Sequence, residues 1–410
     1  MSTNQQQTKW MKGLCSLSCI FLSMFSMSAE AIGFGDKIRL SGFGSISESY
    51  SDSDSLGFRS SLAQDGKTGW SWKPDSLIGL QLDSQLTDSL DATLQFVGRD
   101  RINNDLDSSV EWAYLTYRSS DLWNVRVGRV AFDSTLIGSF GAVAYAYDWV
   151  RPPTEFYSQI PIYSFDGAEL ARRFYLSNSS LELKLFGGYS SNDYQAQSSP
   201  VTFKLAPIIG IAARYESNGV LARLSFSHSE FDGFYNRDVE YVQGLLEPYS
   251  ASPAIAETLD NLDLNNYSVN YYSAGVQYRF DNWTLMSEAS YLQSDASLFL
   301  SYFAAYMGVS HRIGEYSLFG FLSHGQTTDD VYQIPSGVNS NIQQIFNVVD
   351  SHQSTVSLGS RWDITNQLAI KFQWDRSFVK QGEALLWSRS TDDTPKQNVD
   401  VFTLSLNFIF

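Results

Sequence analysis

A period of two is what most narrows the fold of this chain. Between Val399 and Phe410, the residues Phe402, Leu404, Leu406, Phe408 and Phe410 fall on one side, and Val401, Thr403, Ser405, Asn407 and Ile409 on the other. Successive side chains of a strand point to opposite faces, so this reads as a strand with one apolar and one mostly polar face. The pattern recurs at Ile78-Leu80-Leu82, at Trp123-Val125-Val127 and along Leu368-Ile370-Phe372-Trp374. Sixteen such segments can be drawn, the first at 37–50 and the last at 398–410. Two places resist the pattern. Both faces are mixed around Leu318, and at Arg172-Arg173 the inward residue cannot be chosen.

The connections alternate short and long. Short ones carry tight-turn residues: Thr87-Asp88, Ser119-Ser120, Asn178-Ser179, Asn218-Gly219, Asp281-Asn282, Gly314 and Thr365-Asn366. Long ones span 51–74, 101–108, 130–163, 191–205, 231–266, 326–351 and 379–397, and are mostly rich in Ser, Asp, Asn, Gly and Pro, while one connection on the long side, 295–301, is short. The ten prolines are expected in loops or at strand starts, because proline cannot donate to a ladder. A soluble sandwich would not segregate its connections this way. A barrel with lipid outside and water inside explains both the alternation and the loops. Closure also leaves no unpaired edge, which a bilayer demands.

Composition removes the competitors. Aromatic residues make up 15% and charged residues only 18%, the reverse of a disordered chain. A net charge of −16 argues against nucleic acid as a partner. Residues 1–31 read as a cleaved secretory signal: Lys9 and Lys12 precede the apolar stretch Leu14 to Met27, and Ala29-Glu30-Ala31 suits cleavage. Residues 32–410 then form a single barrel, free of the two cysteines, Cys15 and Cys19.

Several segments resemble the Gram-negative general porins. Asp36-Lys37-Ile38-Arg39-Leu40-Ser41-Gly42-Phe43-Gly44 is similar to the porin first strand. Glu111-Trp112-Ala113-Tyr114-Leu115-Thr116-Tyr117-Arg118 resembles the fourth, and Val125-Arg126-Val127-Gly128-Arg129 the strand entering the constriction loop. The terminal Phe410, with alternate aromatics before it, resembles the signal read by the barrel-assembly machinery. The resemblance implies an all-β, transmembrane antiparallel barrel of sixteen strands in the bacterial outer membrane. It also implies a homotrimer surrounded by outer-membrane lipid and lipopolysaccharide. The expected function is passive diffusion of ions and small hydrophilic solutes, with no enzymatic activity, cofactor or metal. Eighteen strands are the alternative count, if segments such as 234–246 pair.

The resemblance further implies that the loop 130–163 folds inward as a constriction. Its residues suit burial, with Phe132, Phe140, Tyr145, Tyr147, Trp149, Phe156 and Tyr157 against few charges. An extracellular lid or a trimer contact is the other reading of so long a loop. Parity turns Arg39, Arg99, Arg118 and Arg126 inward, together with Lys184, Arg223, Arg361 and Lys371. A charge facing lipid near the midplane costs about 2–4 kcal/mol. The constriction candidates are therefore Arg39, Arg99, Arg118 and Arg126 on the wall, facing Asp133, Asp148 and Glu155 on the loop. Such opposed charges would set a transverse field on passing solutes.

A channel specific for a small organic solute shares this architecture. A barrel enzyme or adhesin is less favoured by the residues. The histidines are His228, His311, His324 and His352, and Ser229 and Ser323, beside two of them, would point to the opposite face. Asp52, Asp54, Asp329, Asp330, Asp392 and Asp393 fall in outer loops, where a solvated role competes with sharing divalent cations with lipopolysaccharide.

Overall fold

The computed structural model describes residues 32–33, 37–158, 162–196, 199–388 and 397–410. The expected export signal, 1–31, lies outside these residues, as do Asp392 and Asp393. Sixteen antiparallel strands form the wall: β1 (Ile38–Ser51), β2 (Leu77–Gln85), β3 (Leu90–Arg99), β4 (Val110–Ser120), β5 (Trp123–Ala131), β6 (Ser164–Leu176), β7 (Ser179–Gln195) and β8 (Pro200–Ser217). There follow β9 (Val220–Asn236), β10 (Ser268–Phe280), β11 (Trp283–Ser294), β12 (Tyr302–Ile313), β13 (Tyr316–Thr327), β14 (Ser351–Thr365), β15 (Leu368–Ala384) and β16 (Gln397–Ile409). Each strand pairs with its neighbours in sequence, and β16 pairs with β1 from Val401↔Ser51 to Ile409↔Phe43. That last ladder closes the barrel and leaves no open edge. Two short segments, Ile32–Gly33 and Gly69–Ser71, pair with β1 beside the wall.

Burial is inverted relative to a soluble protein. Leu404 is 57% exposed, Leu224 62% and Met307 62%, whereas Ser357 and Gln373 are fully buried. The exposed residues follow the outward parity of their strands, so the outer face is an apolar belt. Aromatic pairs flank it. Tyr278 stacks on Phe280 and Tyr316 on Trp362 near the short turns, and Tyr50 meets Trp70 near the long loops. The seven turns at one end span two to four residues, and Asn218 and Gly219 both have positive φ, as a tight hairpin requires.

Several expectations need correction. The expected count of sixteen strands holds, and the alternative of eighteen falls because residues 234–236 continue β9 and 237–246 form a helix. The connection at 191–205 is mostly strand, because β7 and β8 run on to Gln195 and from Pro200. Pro207 lies within β8, at a register shift between Leu205 and Ile208, where a bulge tolerates its missing N–H. Arg172 turns outward over the rings of Trp123 and Phe174, while Arg173 turns inward to Glu182.

The upper lumen is filled more than a plain tube would be. Helical loop segments α1 (Arg237–Leu246), α2 (Pro253–Asn261) and α3 (Gln343–Asn347) cap the long-loop end. They bring Val239, Leu262 and Phe346 onto inward residues such as Phe203, Phe231 and Leu292 in one apolar cluster. Arg59, in the connection after β1, ties loops together by donating to Leu385 O at 2.6 Å and Gln195 O at 2.7 Å. Burial pushes its guanidinium down to about 10.

The closing seam supplies a test. The ring of Phe410 lies over Gly42, in the space a Cβ there would take. Gly42→Val should destabilise the barrel by about 1–3 kcal/mol, the usual cost of overpacking. The measure is a lower temperature for loss of the folded, heat-modifiable band. An unchanged temperature would show that the seam does not depend on this contact.

Candidate constriction site in the lumen

The connection after β5 turns into the barrel, and the wall holds it step by step. The Asp133 carboxylate sits 3.0 Å from Lys184 Nζ on β7 and 3.0 Å from Arg223 Nη1 on β9. Glu288 on β11 accepts from Leu136 N at 2.7 Å, and from the hydroxyls of Tyr306 at 2.8 Å and of Tyr157. The loop then descends towards the short-turn end. Lys371 Nζ on β15 donates to three of its carbonyls, Ala144 O, Tyr147 O and Trp149 O, at 2.5, 2.6 and 2.9 Å. Arg361 on β14 donates to Tyr145 O and Tyr147 O at 2.7 and 2.9 Å.

The return limb is anchored by side chains of the loop itself. Arg151 is 2.7 Å from Asp75 and also pairs with Asp375 on β15. Glu155 accepts from Ser323 Oγ on β13 at 2.6 Å and from Gln353 and Thr355 on β14. Trp149 packs on Phe321, with centroids 5.7 Å apart. That contact explains the mixed pattern at Leu318: Leu318 faces outward, while Phe319 and Phe321 face inward and are covered by the loop.

The reason for so many anchors is backbone chemistry. An irregular segment does not pair its own carbonyls, and buried carbonyls must be paired. Wall cations do this here, through charge-assisted bonds worth about 1.5–3 kcal/mol each. The loop is thereby tied to the inner wall of the barrel.

Between the loop and the β1–β4 wall there remains a cavity of about 200 Å³. Ser45, Gln95, Arg99, Glu111 and Trp112 line it from the wall; Phe140 and Tyr147 line it from the loop. Arg99 Nη2 donates to both oxygens of Glu111, at 2.8 and 2.7 Å, and its guanidinium lies 4.5 Å from the Tyr163 ring centre. Glu111 reaches Arg99 because β3 and β4 shift register between Gln95↔Trp112 and Phe96↔Val110, leaving Glu111 as the extra residue. Arg101 Nη2 donates to the same carboxylate at 3.0 Å.

The seven candidate residues are distributed as follows. Arg99 lines the cavity. Arg126 lies 3.4 Å from Glu169 and over the ring of Tyr114. Arg39 pairs with Asp83 at 3.3 Å and Arg118 with Asp91, both close to the short-turn end of their strands. Asp133 and Glu155 are loop anchors, and Asp148 accepts from Ser310 Oγ. The loop acids therefore meet β7, β9 and β12–β14, and among the described residues no ion pair joins them to the four arginines. Asp75, Glu111 and Arg151 were not among the candidates. Glu111 depends on a bulge that alternation conceals, and Arg151 carried a signal as the one basic residue of an aromatic loop.

No protein-family model matches the chain, and no curated protein matches it in sequence. Solved structures match it in fold. The anion-selective porin from Comamonas acidovorans aligns with 91% of this chain and 99% of its own, at 12% identity and a TM-score of 0.53. OmpF of Salmonella typhi, in complex with daunomycin, aligns over 93% and 100%, at 10% identity and 0.53. The outer membrane channel DcaP of Acinetobacter baumannii aligns over 93% and 100%, at 11% identity and 0.51. The fold is the porin fold. Within that fold, Lys371 is one of the wall residues that hold the inward loop.

Lys371→Met keeps the length of the side chain and removes all three donors. It should loosen the descending limb of the loop and make single-channel current larger and noisier, with the barrel still folded. Current traces identical to wild type would show that the other anchors suffice.

Proposed function

We propose that this protein is an outer-membrane porin, a water-filled channel through which ions and small hydrophilic solutes diffuse. The observation that carries the proposal is the loop folded into the lumen of a closed barrel, beside a lined cavity on the β1–β4 wall. A wide barrel alone would pass large solutes, and an inward loop narrows it. In this reading the short turns face the periplasm and the long loops the exterior. The N-terminal segment 1–31 serves export, and Phe410 serves recognition by the assembly machinery. The apolar belt supports an environment of outer-membrane lipid and lipopolysaccharide. Homotrimer formation is part of the same reading.

The ion pairs set the electrical character. Arg99 and Glu111 oppose each other within the lining, as do Arg151 and Asp75. Their fields largely cancel at the distance of a passing ion, so the constriction is expected to discriminate weakly by charge. Arg39, Arg118 and Arg126 act at more remote points of the wall and contribute less than Arg99.

Reconstitution in a planar bilayer tests the proposal. Discrete conductance steps that scale with salt are expected, with a small reversal potential in a salt gradient. Arg99→Gln should shift that potential towards cation preference and Glu111→Gln towards anion preference. Absence of steps from folded protein would overturn the channel reading. Shifts of the same sign in both variants would overturn the placement of this pair at the constriction.

A further inference from the structure

The β1–β4 wall is wet at one end and dry at the other. Near the short turns its inward groups meet water: the side chain of Arg39 is 65% exposed and that of Arg118 50%. Towards the long loops, Arg99 falls to 13% and Glu111 to 7%. Part of what covers them is a stretch of the connection after β1. Ser60, Ser61 and Gln64 line the same cavity as Arg99 and Glu111. Ser61 Oγ lies 2.7 Å from the Tyr163 hydroxyl, and the Tyr163 ring lies against Arg99. From the inward loop, Ser158 Oγ donates to Ser60 O at 2.6 Å. The segment 56–64 thus roofs the constriction on its long-loop side.

The segment is held from opposite sides of the barrel. β7 stands nearly half-way round the ring from β16 and β1. Arg59 is buried and donates to Leu385 O and Leu386 O beyond β15, at 2.6 and 3.2 Å, and to Gln195 O at the end of β7, at 2.7 Å. Gln195 N donates in turn to Leu62 O at 2.8 Å. Leu56, Phe58 and Leu62 share an apolar cluster with Leu386 and Trp387, and Tyr194 of β7 packs against it. The segment therefore crosses the mouth from one wall to the other. Among the described residues no carboxylate pairs with Arg59, and its acceptors are all backbone carbonyls. Water can take the place of each carbonyl, and a hydrated guanidinium regains the solvation that burial removes. Such a fastening holds while it is dry and can be exchanged for water.

We propose that the segment 56–64 is a strap that closes the channel at its long-loop end, with Arg59 as the fastening. The proposal rests on the channel reading and adds a gate to it. The arrangement described is the closed one. Conduction requires the strap to leave Gln195 and uncover the cavity. Tyr163 links the strap to Arg99, so lifting the strap also opens the Arg99–Glu111 pair to the passing solution.

The experiment records the exported protein in a planar bilayer in potassium chloride. Wild type is expected to give steps separated by closed periods. Arg59→Met removes every donor of the fastening and should raise the ratio of open to closed time about tenfold, the factor that one hydrogen bond to a charged group supplies. A second variant leaves Arg59 in place, should the first fail to fold. Leu62→Cys with Gln195→Cys sets two thiols across the backbone bond that joins strap and β7. No native cysteine follows Cys19, and each single-cysteine variant serves as a control. Oxidation of the double variant should abolish the steps and reduction restore them, with the single variants unaffected. An unchanged open-to-closed ratio in folded Arg59→Met would overturn the proposal. So would a cross-linked double variant that conducts like its reduced form, or thiols that do not join, since the strap would then not rest on β7. Absence of steps from wild type, Arg59→Met and the reduced double variant alike would overturn the channel reading, and this one with it.

Discussion

Every backbone donor and acceptor that is kept from water must find a partner, and this one rule organises the molecule. In the wall the partners are neighbouring strands, and the β16–β1 ladder removes the last unpaired edge. Inside the barrel the inward loop has no such ladder. Its carbonyls are satisfied by side chains of the wall, with Lys371 and Arg361 on adjacent strands serving the same turn at Ala144–Tyr147. The wall is thus both the container and the hydrogen-bonding partner of its contents.

The same rule explains the distribution of charge. Lysines and arginines that face the lumen have two ways of being satisfied, loop carbonyls or carboxylates. Lys371 uses only carbonyls, and Arg99 uses Glu111, while Lys184 pairs with both Asp133 and Glu169. Charges spent on holding the loop are not available to steer ions. What remains at the cavity is a compensated pair with neutral polar groups and aromatic rings around it.

Much of this architecture was legible in the alternation. Parity correctly turned Lys184, Arg223, Arg361 and Lys371 inward, and set Phe402 and Leu404 outward. Ser229 and Ser323 face the lumen while their neighbours His228 and His324 face out, as the period requires. The pattern failed where the inner face meets protein instead of water. Phe319 and Phe321 are apolar because Trp149 covers them, and Phe203 and Phe231 because loop segments do. An inner face under a loop reads like an outer face under lipid, so strands there look two-sided. Glu111 was hidden for another reason: one extra residue in β4 changes which way it points.

The sequence by itself determined the strands, their inward and outward faces, the side of the barrel bearing long loops, and the loop composed for burial. These depend on local periodicity and turn chemistry, which act over a few residues. Only the tertiary structure decided which charges meet. Asp133 finds Lys184 and Arg223, Arg151 finds Asp75 and Asp375, and Arg99 finds Glu111. Partners such as Arg151 and Asp375 lie 224 positions apart in the chain. Their meeting depends on barrel closure and on the path of the loop, because electrostatic pairing is a matter of distance in space and leaves no period in the sequence.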